Sequence, residues 1–104
     1  MKTPELVRVC SLEEIPAGEA RAFTVEGFEI AIFNTGDEIY AIENRCPHMG
    51  AELSEGEVVD TSVCCHNHGW IIDLETGEVA DREGIVVPTF PVTIEDGAIY
   101  IQIA

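Results

Sequence analysis

The sequence is poor in basic residues. Its 104 residues include 5 Lys and Arg against 20 Asp and Glu, which gives a formal net charge of −15 at pH 7. Nucleic acids and anionic membrane surfaces are themselves negatively charged, so electrostatic attraction does not bring this chain to either of them. We therefore expect neither nucleic acid nor a membrane among its partners.

Long apolar runs are also absent from the sequence. No run approaches the ~18 residues that a helix needs to cross a bilayer. Residues 1–5 lack the apolar core of a secretory signal. We expect a cytoplasmic protein, and in that compartment four Cys indicate metal or redox chemistry more often than a disulfide framework.

What the chain has in quantity is β-branched residues. Ile and Val total 22, whereas Leu and Met total only 6, and β-branched side chains favour half-buried strands over helices. Short apolar runs alternate with turn sequences in the way that is typical of β-sandwiches and barrels. The predicted strands are residues 6–10, 20–25, 28–33, 39–43, 58–64, 71–74, 91–95 and 98–103. The sequence thus predicts an all-β fold in one domain over residues 1–104.

Turn residues and side-chain alternation add detail to this prediction. Tight connections are predicted at residues 34–37, 75–78 and 95–97, each of which contains a Gly. Ile99, Ile101 and Ile103 are predicted to share one face of the last strand. Residues 11–14 predict a single helical turn, and we find no internal repeat, linker or low-complexity tract.

Two loop-like segments, residues 45–57 and 65–70, carry a cysteine–histidine pattern. The first contains Cys46-Pro47-His48, a Cys-x-His element, and the second contains a Cys-x-x-His element from Cys65 to His68. Sixteen residues separate His48 from Cys65. Each element supplies one thiolate and one imidazole, and two such elements on neighbouring loops can close around one metal centre.

This pattern resembles the Rieske iron–sulfur signature. In that family two Cys hold one iron of a single [2Fe–2S] cluster and two His hold the other. The resemblance implies that Cys46 and Cys65 bind one iron and that His48 and His68 bind the second. It also implies antiparallel β-sheets, arranged as a sandwich or barrel base with a smaller cluster-binding subdomain over approximately residues 44–74.

Other interpretations of the same residues remain open. Two Cys and two His can hold structural zinc, which would make the chain a zinc-stapled interaction module, although zinc sites typically pair Cys with Cys and His with His. Cys64 and His66 form another Cys-x-His pair, but the continuation His-Gly-Trp favours His68 and hence Cys65. Cys64 is then predicted to end a strand with its side chain in the core, and Cys10 to be a buried apolar residue.

The positions around the motif differ from those of high-potential respiratory Rieske proteins. Those proteins carry a disulfide between the ligand loops, where this chain has Ala51 and Asn67. They also carry Ser and Tyr hydroxyls after the last His, where this chain has Trp70 and Ile72. Fewer hydrogen bonds to sulfur leave the reduced cluster less stabilised, which predicts a low reduction potential for this class.

The chain looks most similar to the ferredoxin component of multicomponent aromatic-ring dioxygenase systems. That resemblance implies a one-electron carrier, not itself an enzyme, between a flavin-dependent ferredoxin reductase and a terminal oxygenase. The acidity of the chain adds that these partners should have basic docking surfaces. The alternative is the small subunit of an assimilatory NAD(P)H nitrite reductase, which shares the fold but acts as a fixed subunit.

Overall fold

The computed structural model of the chain describes residues 6–47, 50–65 and 69–103. Within these residues the backbone forms short β-strands joined by turns, with two 3₁₀-helices, Leu12–Glu14 and Leu53–Glu55. The strands are β1 Leu6–Ser11, β2 Ala20–Val25, β3 Phe28–Asn34, β4 Ile39–Glu43, β5 Glu57–Val59, β6 Ser62–Cys64, β7 Ile71–Asp73, β8 Thr89–Phe90, β9 Val92–Glu95 and β10 Ala98–Gln102. The predicted all-β class is confirmed.

The strands form three antiparallel sheets. Their strand orders are β1-β10-β9, β2-β3-β4-β8 and β5-β6-β7. The first strand therefore pairs with the last, with Val7 opposite Ile101. The third sheet lies entirely within the stretch of chain that leaves the second sheet at β4 and returns to it at β8.

Strand β3 is buried on both faces and lies between two hydrophobic cores. Ile30 and Ile32 point into a core shared with the first sheet, where Ile99 is also fully buried. Ala31 and Phe33 point the opposite way, into a second core that contains side chains of the third sheet. An uninterrupted apolar run is what a strand covered on both faces requires, because successive side chains alternate between the faces.

The predicted single strand over residues 58–64 is wrong. The structure divides this stretch into β5 and β6, which pair with each other across a turn at Asp60 and Thr61. Asp60 has a φ of +53°, a left-handed conformation that Asp tolerates better than most residues. No Gly or Pro marks this turn, which is why the sequence pattern did not reveal it. Strand β8 was also missed, because a two-residue strand has no detectable alternation.

The last strand and the predicted helical turn agree with the structure. In β10, Ile99 and Ile101 are fully buried, and Ile103 packs partly buried against the same core. At residues 11–14 the carboxylate of Glu14 accepts a hydrogen bond of 2.9 Å from the Ser11 N–H, which closes the turn. The described part of the chain contains no helix with the length and hydropathy to span a membrane.

The backbone of Gly77 packs closely against the backbone of Val87, a residue of the second core. Its N–H donates to the Asp73 carbonyl at 2.7 Å, and its carbonyl accepts from the Val87 N–H at 2.7 Å. A Cβ atom at Gly77 would overlap the carbonyl oxygen of Val87. Gly84 has the same φ of +84°, but nothing lies within 4 Å of the position that its Cβ would take.

Replacing Gly77 with Ala should therefore destabilise the fold much more than replacing Gly84. We expect Gly84→Ala to lower the free energy of unfolding by about 1 kcal/mol, because of the left-handed backbone alone. Gly77→Ala adds the steric overlap and should cost about 3 kcal/mol in total. Urea unfolding followed by circular dichroism measures both values. Equal losses would contradict this account of Gly77.

Candidate metal centre

The first cysteine lies in a short loop that two backbone hydrogen bonds close. This loop, residues 46–51, follows β4 and is called loop 1 here. The Cys46 N–H donates to the Ala51 carbonyl at 2.7 Å, and the Gly50 N–H donates to the Cys46 carbonyl at 2.8 Å. Gly50 has a φ of +75°, which a side chain would strain, so Gly is required for the chain to turn back here.

The second cysteine lies in a loop of the same construction. This loop, residues 65–70, follows β6 and is called loop 2 here. The Cys65 N–H donates to the Trp70 carbonyl at 2.7 Å, and the Gly69 N–H donates to the Cys65 carbonyl at 3.1 Å. Gly69 has a φ of +70°. The two loops thus repeat the pattern Cys-x-x-x-Gly-x, which is inconspicuous in the sequence because only the Cys and the Gly coincide when the two segments are aligned.

Both loops deliver a buried cysteine to one core. Cys46 and Cys65 are almost completely buried, and both belong to the second core, together with Phe33. The other two predicted ligands, His48 and His68, lie outside the described residues. The described residues contain no group of three or more His, Cys, Asp or Glu side chains that could hold a metal ion.

Asn44 connects the start of loop 1 to the helix that follows it. It is a buried polar side chain, and its Oδ1 accepts a hydrogen bond of 2.8 Å from the Ser54 N–H. Its Nδ2 donates to Oε1 of Glu52 at 3.3 Å. Two residues before Cys46, this side chain therefore holds both ends of loop 1 in a fixed arrangement.

Gly56 brings the segment after loop 1 into close contact with the strand that precedes loop 2. A Cβ atom at Gly56 would overlap the carbonyl oxygen of Cys64 and lie 2.9 Å from a methyl group of Val63. Leu53, in the preceding helix, is fully buried in the second core. The two cysteine loops are consequently fixed to each other through backbone packing as well as through the core.

Trp70 and Arg82 form a contact beside loop 2. The guanidinium carbon of Arg82 lies 4.4 Å from the centre of the Trp70 ring, a distance at which a cation is attracted to the aromatic face. Trp70 also packs, partly buried, against the second core. Nothing in the sequence points to Arg82 as a partner of Trp70, because twelve positions separate the two residues and no pattern links them.

The two remaining cysteines have different environments. Cys10 is buried in the first core, as predicted, and burial raises the pKa of its thiol, with a further increase from nearby Glu14. Cys64 ends β6 as predicted, but its side chain is only half-buried, because it faces away from the core. No disulfide joins any of the four cysteines, all of which are described residues.

Carboxylates give the molecule a negative potential near the second core. Tyr40, at the start of β4, packs against that core. Burial raises the pKa of the Tyr40 hydroxyl, and the negative charge of Glu75 raises it further, as do those of Glu38 and Asp73.

The donor set fits an iron–sulfur cluster. Two buried thiols, free of disulfide bonds, reach one core from two loops of matching geometry, and thiolate sulfur is the ligand that such clusters require. The sequence profile of the Rieske [2Fe–2S] domain matches residues 5–91 of the chain. The chain is a member of the Rieske family. Its cofactor is one Rieske-type [2Fe–2S] cluster.

Relatives of this Rieske protein include ferredoxin subunits. It is 36% identical over 98 residues to the 3-phenylpropionate/cinnamic acid dioxygenase ferredoxin subunit of Photorhabdus laumondii, an alignment that covers 92% of each chain. Among solved structures it is similar to a chain in the complex of reduced oxygenase and oxidised ferredoxin of carbazole 1,9a-dioxygenase. That similarity has a TM-score of 0.85 at 27% identity and covers 96% of this chain and 94% of the other.

The fold is shared with a second solved structure. A Mycobacterium tuberculosis protein assigned as an NADH-dependent nitrite reductase small subunit superposes with a TM-score of 0.90, covering 99% of this chain and 98% of the other. The sequence identity is 21%, so this likeness shows the shared fold alone.

The role of Asn44 in this Rieske site can be measured. Asn44→Ala removes two hydrogen bonds and leaves the Ser54 N–H without its partner, which should cost about 1–3 kcal/mol. If this loss acts on loop 1, a chelator should remove the iron about tenfold faster, as the loss of visible absorbance would show.

Asn34 is a matched control at the other end of the fold. Its side chain donates to the Ile15 carbonyl at 2.8 Å and accepts from the Gly36 N–H at 2.8 Å. Asn34→Ala should lower the free energy of unfolding by a similar amount and change the release of iron less. Equal acceleration in both variants would show that iron loss follows global unfolding, contrary to the role assigned to Asn44.

Proposed function

We propose that this protein is a one-electron carrier whose cluster is bound by Cys46, His48, Cys65 and His68. One observation supports this proposal above the others. Two loops with the same pair of backbone hydrogen bonds each deliver a buried cysteine to the same core, in a chain of the Rieske family. When bound, such a cluster would supply one-electron redox chemistry.

The roles proposed for these residues are those that the Rieske signature implies. The thiolates of Cys46 and Cys65 hold one iron, and the imidazoles of His48 and His68 hold the other. Four protein ligands leave no open coordination position, so no substrate binds to iron and the protein is not itself a catalyst. Residues 44–74 act as a cluster-binding subdomain. It is supported by the second sheet, whose strand β3 lies between the two cores.

The partners are proposed from the relatives. The Photorhabdus protein is named a dioxygenase ferredoxin subunit, and the carbazole dioxygenase structure contains an oxygenase together with its ferredoxin. By analogy, this protein takes electrons from a flavin-dependent ferredoxin reductase and passes them to a terminal oxygenase. Its net charge of −15 favours partners with basic docking surfaces.

A second candidate is the nitrite reductase small subunit, which the common fold supports. The two functions differ in how the protein occurs in the cell. A mobile carrier purifies alone, whereas a fixed subunit co-purifies with a large subunit that contains sirohaem.

Substitution of the adjacent cysteines tests the ligand assignment. Cys65→Ser should abolish the visible absorbance and the electron paramagnetic resonance signal of the dithionite-reduced protein, because the thiolate ligand is lost. Cys64→Ser should leave both unchanged, since the half-buried Cys64 side chain faces away from the core. In the same way, His68→Ala should abolish both signals, whereas His66→Ala should leave both unchanged.

The composition of the purified protein distinguishes the cluster from zinc. Two irons and two acid-labile sulfides per chain are expected. A colourless protein that contains zinc without iron or sulfide would refute the proposed function. A cluster that survives Cys65→Ser and is lost in Cys64→Ser would contradict the ligand set alone.

The reduction potential should lie in the lower part of the Rieske range, which spans roughly −150 to +300 mV. Respiratory Rieske proteins place a hydroxyl at the position of Ile72, and here that side chain is fully buried and apolar. Without that hydrogen bond, the added negative charge is less stabilised. Protein-film voltammetry measures the potential directly, and a value well above zero would show that other groups donate to the cluster.

A further inference from the structure

The third sheet has one face in the core and one face exposed. Its pairing register places Val58, Val63 and Ile72 in one row, and Val63 and Ile72 are fully buried. The two flanking rows must point the opposite way, because side chains alternate along a strand. This outer face carries Glu57, Val59, Ser62, Cys64, Ile71 and Asp73, and it is extended by the bridged pair Glu78 and Val86.

The outer face carries three of the six large exposed hydrophobic side chains of the described residues, and two of them, Ile71 and Val86, line one depression. Val59, Ile71 and Val86 are 50%, 45% and 55% exposed, respectively. The other large exposed hydrophobic side chains of the described residues are Leu6, Phe28 and Ile94, and each lies on a different strand of the other two sheets. Apolar side chains grouped in this way are typical of a protein–protein contact, whereas single ones need no explanation.

The charged side chains that the strand register places on this face are all acidic. Glu57, Asp73 and Glu78 project from the same face, and no Lys or Arg occupies any of its described positions. The nearest base along the chain is Arg82, whose guanidinium is over the Trp70 ring. A second copy of this chain would place like charges against each other, which disfavours self-association through this face.

The outer face is continuous with loop 2. Cys64, on the middle strand of the sheet, directly precedes Cys65, and Ile71 directly follows Trp70, the last residue of the loop. A protein bound here would therefore contact both ends of loop 2. Trp70, Ile71, Asp81 and Arg82 also line a shallow depression at this edge.

We infer that the outer face is the docking surface for an electron-transfer protein that presents an apolar centre surrounded by Lys and Arg. This inference rests on the proposed function, because it assumes that the bound partner exchanges an electron with the cluster. Apolar contact at Val59, Ile71 and Val86 holds the complex together, while the three carboxylates attract and orient the basic partner.

The apolar part of the surface is tested with mitochondrial cytochrome c, a small basic haem protein, as the electron acceptor. Stopped-flow absorbance gives the second-order rate constant for its reduction by the reduced holoprotein. Ile71→Thr should lower this constant about fivefold, the effect of losing a central contact. Ile94→Thr, at a β9 position that is 44% exposed, should leave it within about twofold, as a surface change away from the contact would.

The charged part of the surface is tested with two double variants of equal net charge. Glu57→Gln with Glu78→Gln removes two carboxylates from the outer face. Glu38→Gln with Glu95→Gln removes two that lie outside this face, one directly before β4 and one at the last position of β9. At about 10 mM ionic strength the first pair should slow the reaction about fivefold more than the second, and at about 0.5 M salt the difference should vanish.

The outcomes separate this inference from the proposed function. Every variant should keep the electron paramagnetic resonance spectrum and the reduction potential of the parent protein. If the parent protein itself showed no such spectrum and no reversible reduction, the carrier function would be refuted. With the spectra intact, equal rates for Ile71→Thr and Ile94→Thr, or for the two double variants, would overturn the docking surface. A concentration-dependent dimer that Ile71→Thr alone abolishes would also overturn it, because the occupant would then be a second copy.

Discussion

The closure of each cysteine loop by its own backbone is the constraint on which the rest of the site depends. A thiol can be held in an apolar core only if the peptide groups that carry it there have hydrogen-bond partners. In loop 1 and loop 2 the Cys N–H and carbonyl both find partners within six residues. The left-handed Gly at the fifth position makes this possible, because it turns the chain back at the right distance.

The packing around the loops then determines how they lie relative to each other. Gly56 has no space for a side chain beside the Cys64 carbonyl, so the chain leaving loop 1 lies directly against the strand that enters loop 2. Asn44 fixes the other end of loop 1, and Phe33 of β3 lies in the same core as both cysteines. Each of these contacts is local, but together they fix the positions of the two cysteines relative to each other.

Much of the fold could be predicted from the sequence, because its main signals are local. The Ile- and Val-rich runs predicted β3, β4 and β10 to within a residue at each end, and Ile99 and Ile101 point into the core as their alternation required. The turn at Asp60 escaped prediction, because its left-handed residue is an Asp in a sequence that otherwise reads as one strand. Contacts between distant residues, such as Arg82 with Trp70, leave no periodic signal and could not be predicted. The pattern Cys-x-His and Cys-x-x-His predicts the ligands through a family resemblance, and that assignment stays a prediction, whereas the matching construction of the two loops became visible only in three dimensions.

The pairing of β4 with β8 has a consequence for how such a protein can vary. Ala41 lies opposite Phe90 and Ile42 opposite Thr89, so the chain leaves and re-enters the second sheet through neighbouring strands. Both cysteine loops and the third sheet lie in the segment between these two strands. This segment begins and ends at neighbouring positions of the second sheet. Insertions or deletions within this segment need not disturb the pairing of β4 with β8, since the free-energy cost of closing a longer loop rises only slowly with its length. The topology thus lets the part that carries both cysteine loops change its size and surface while the pairing of β4 with β8 stays the same.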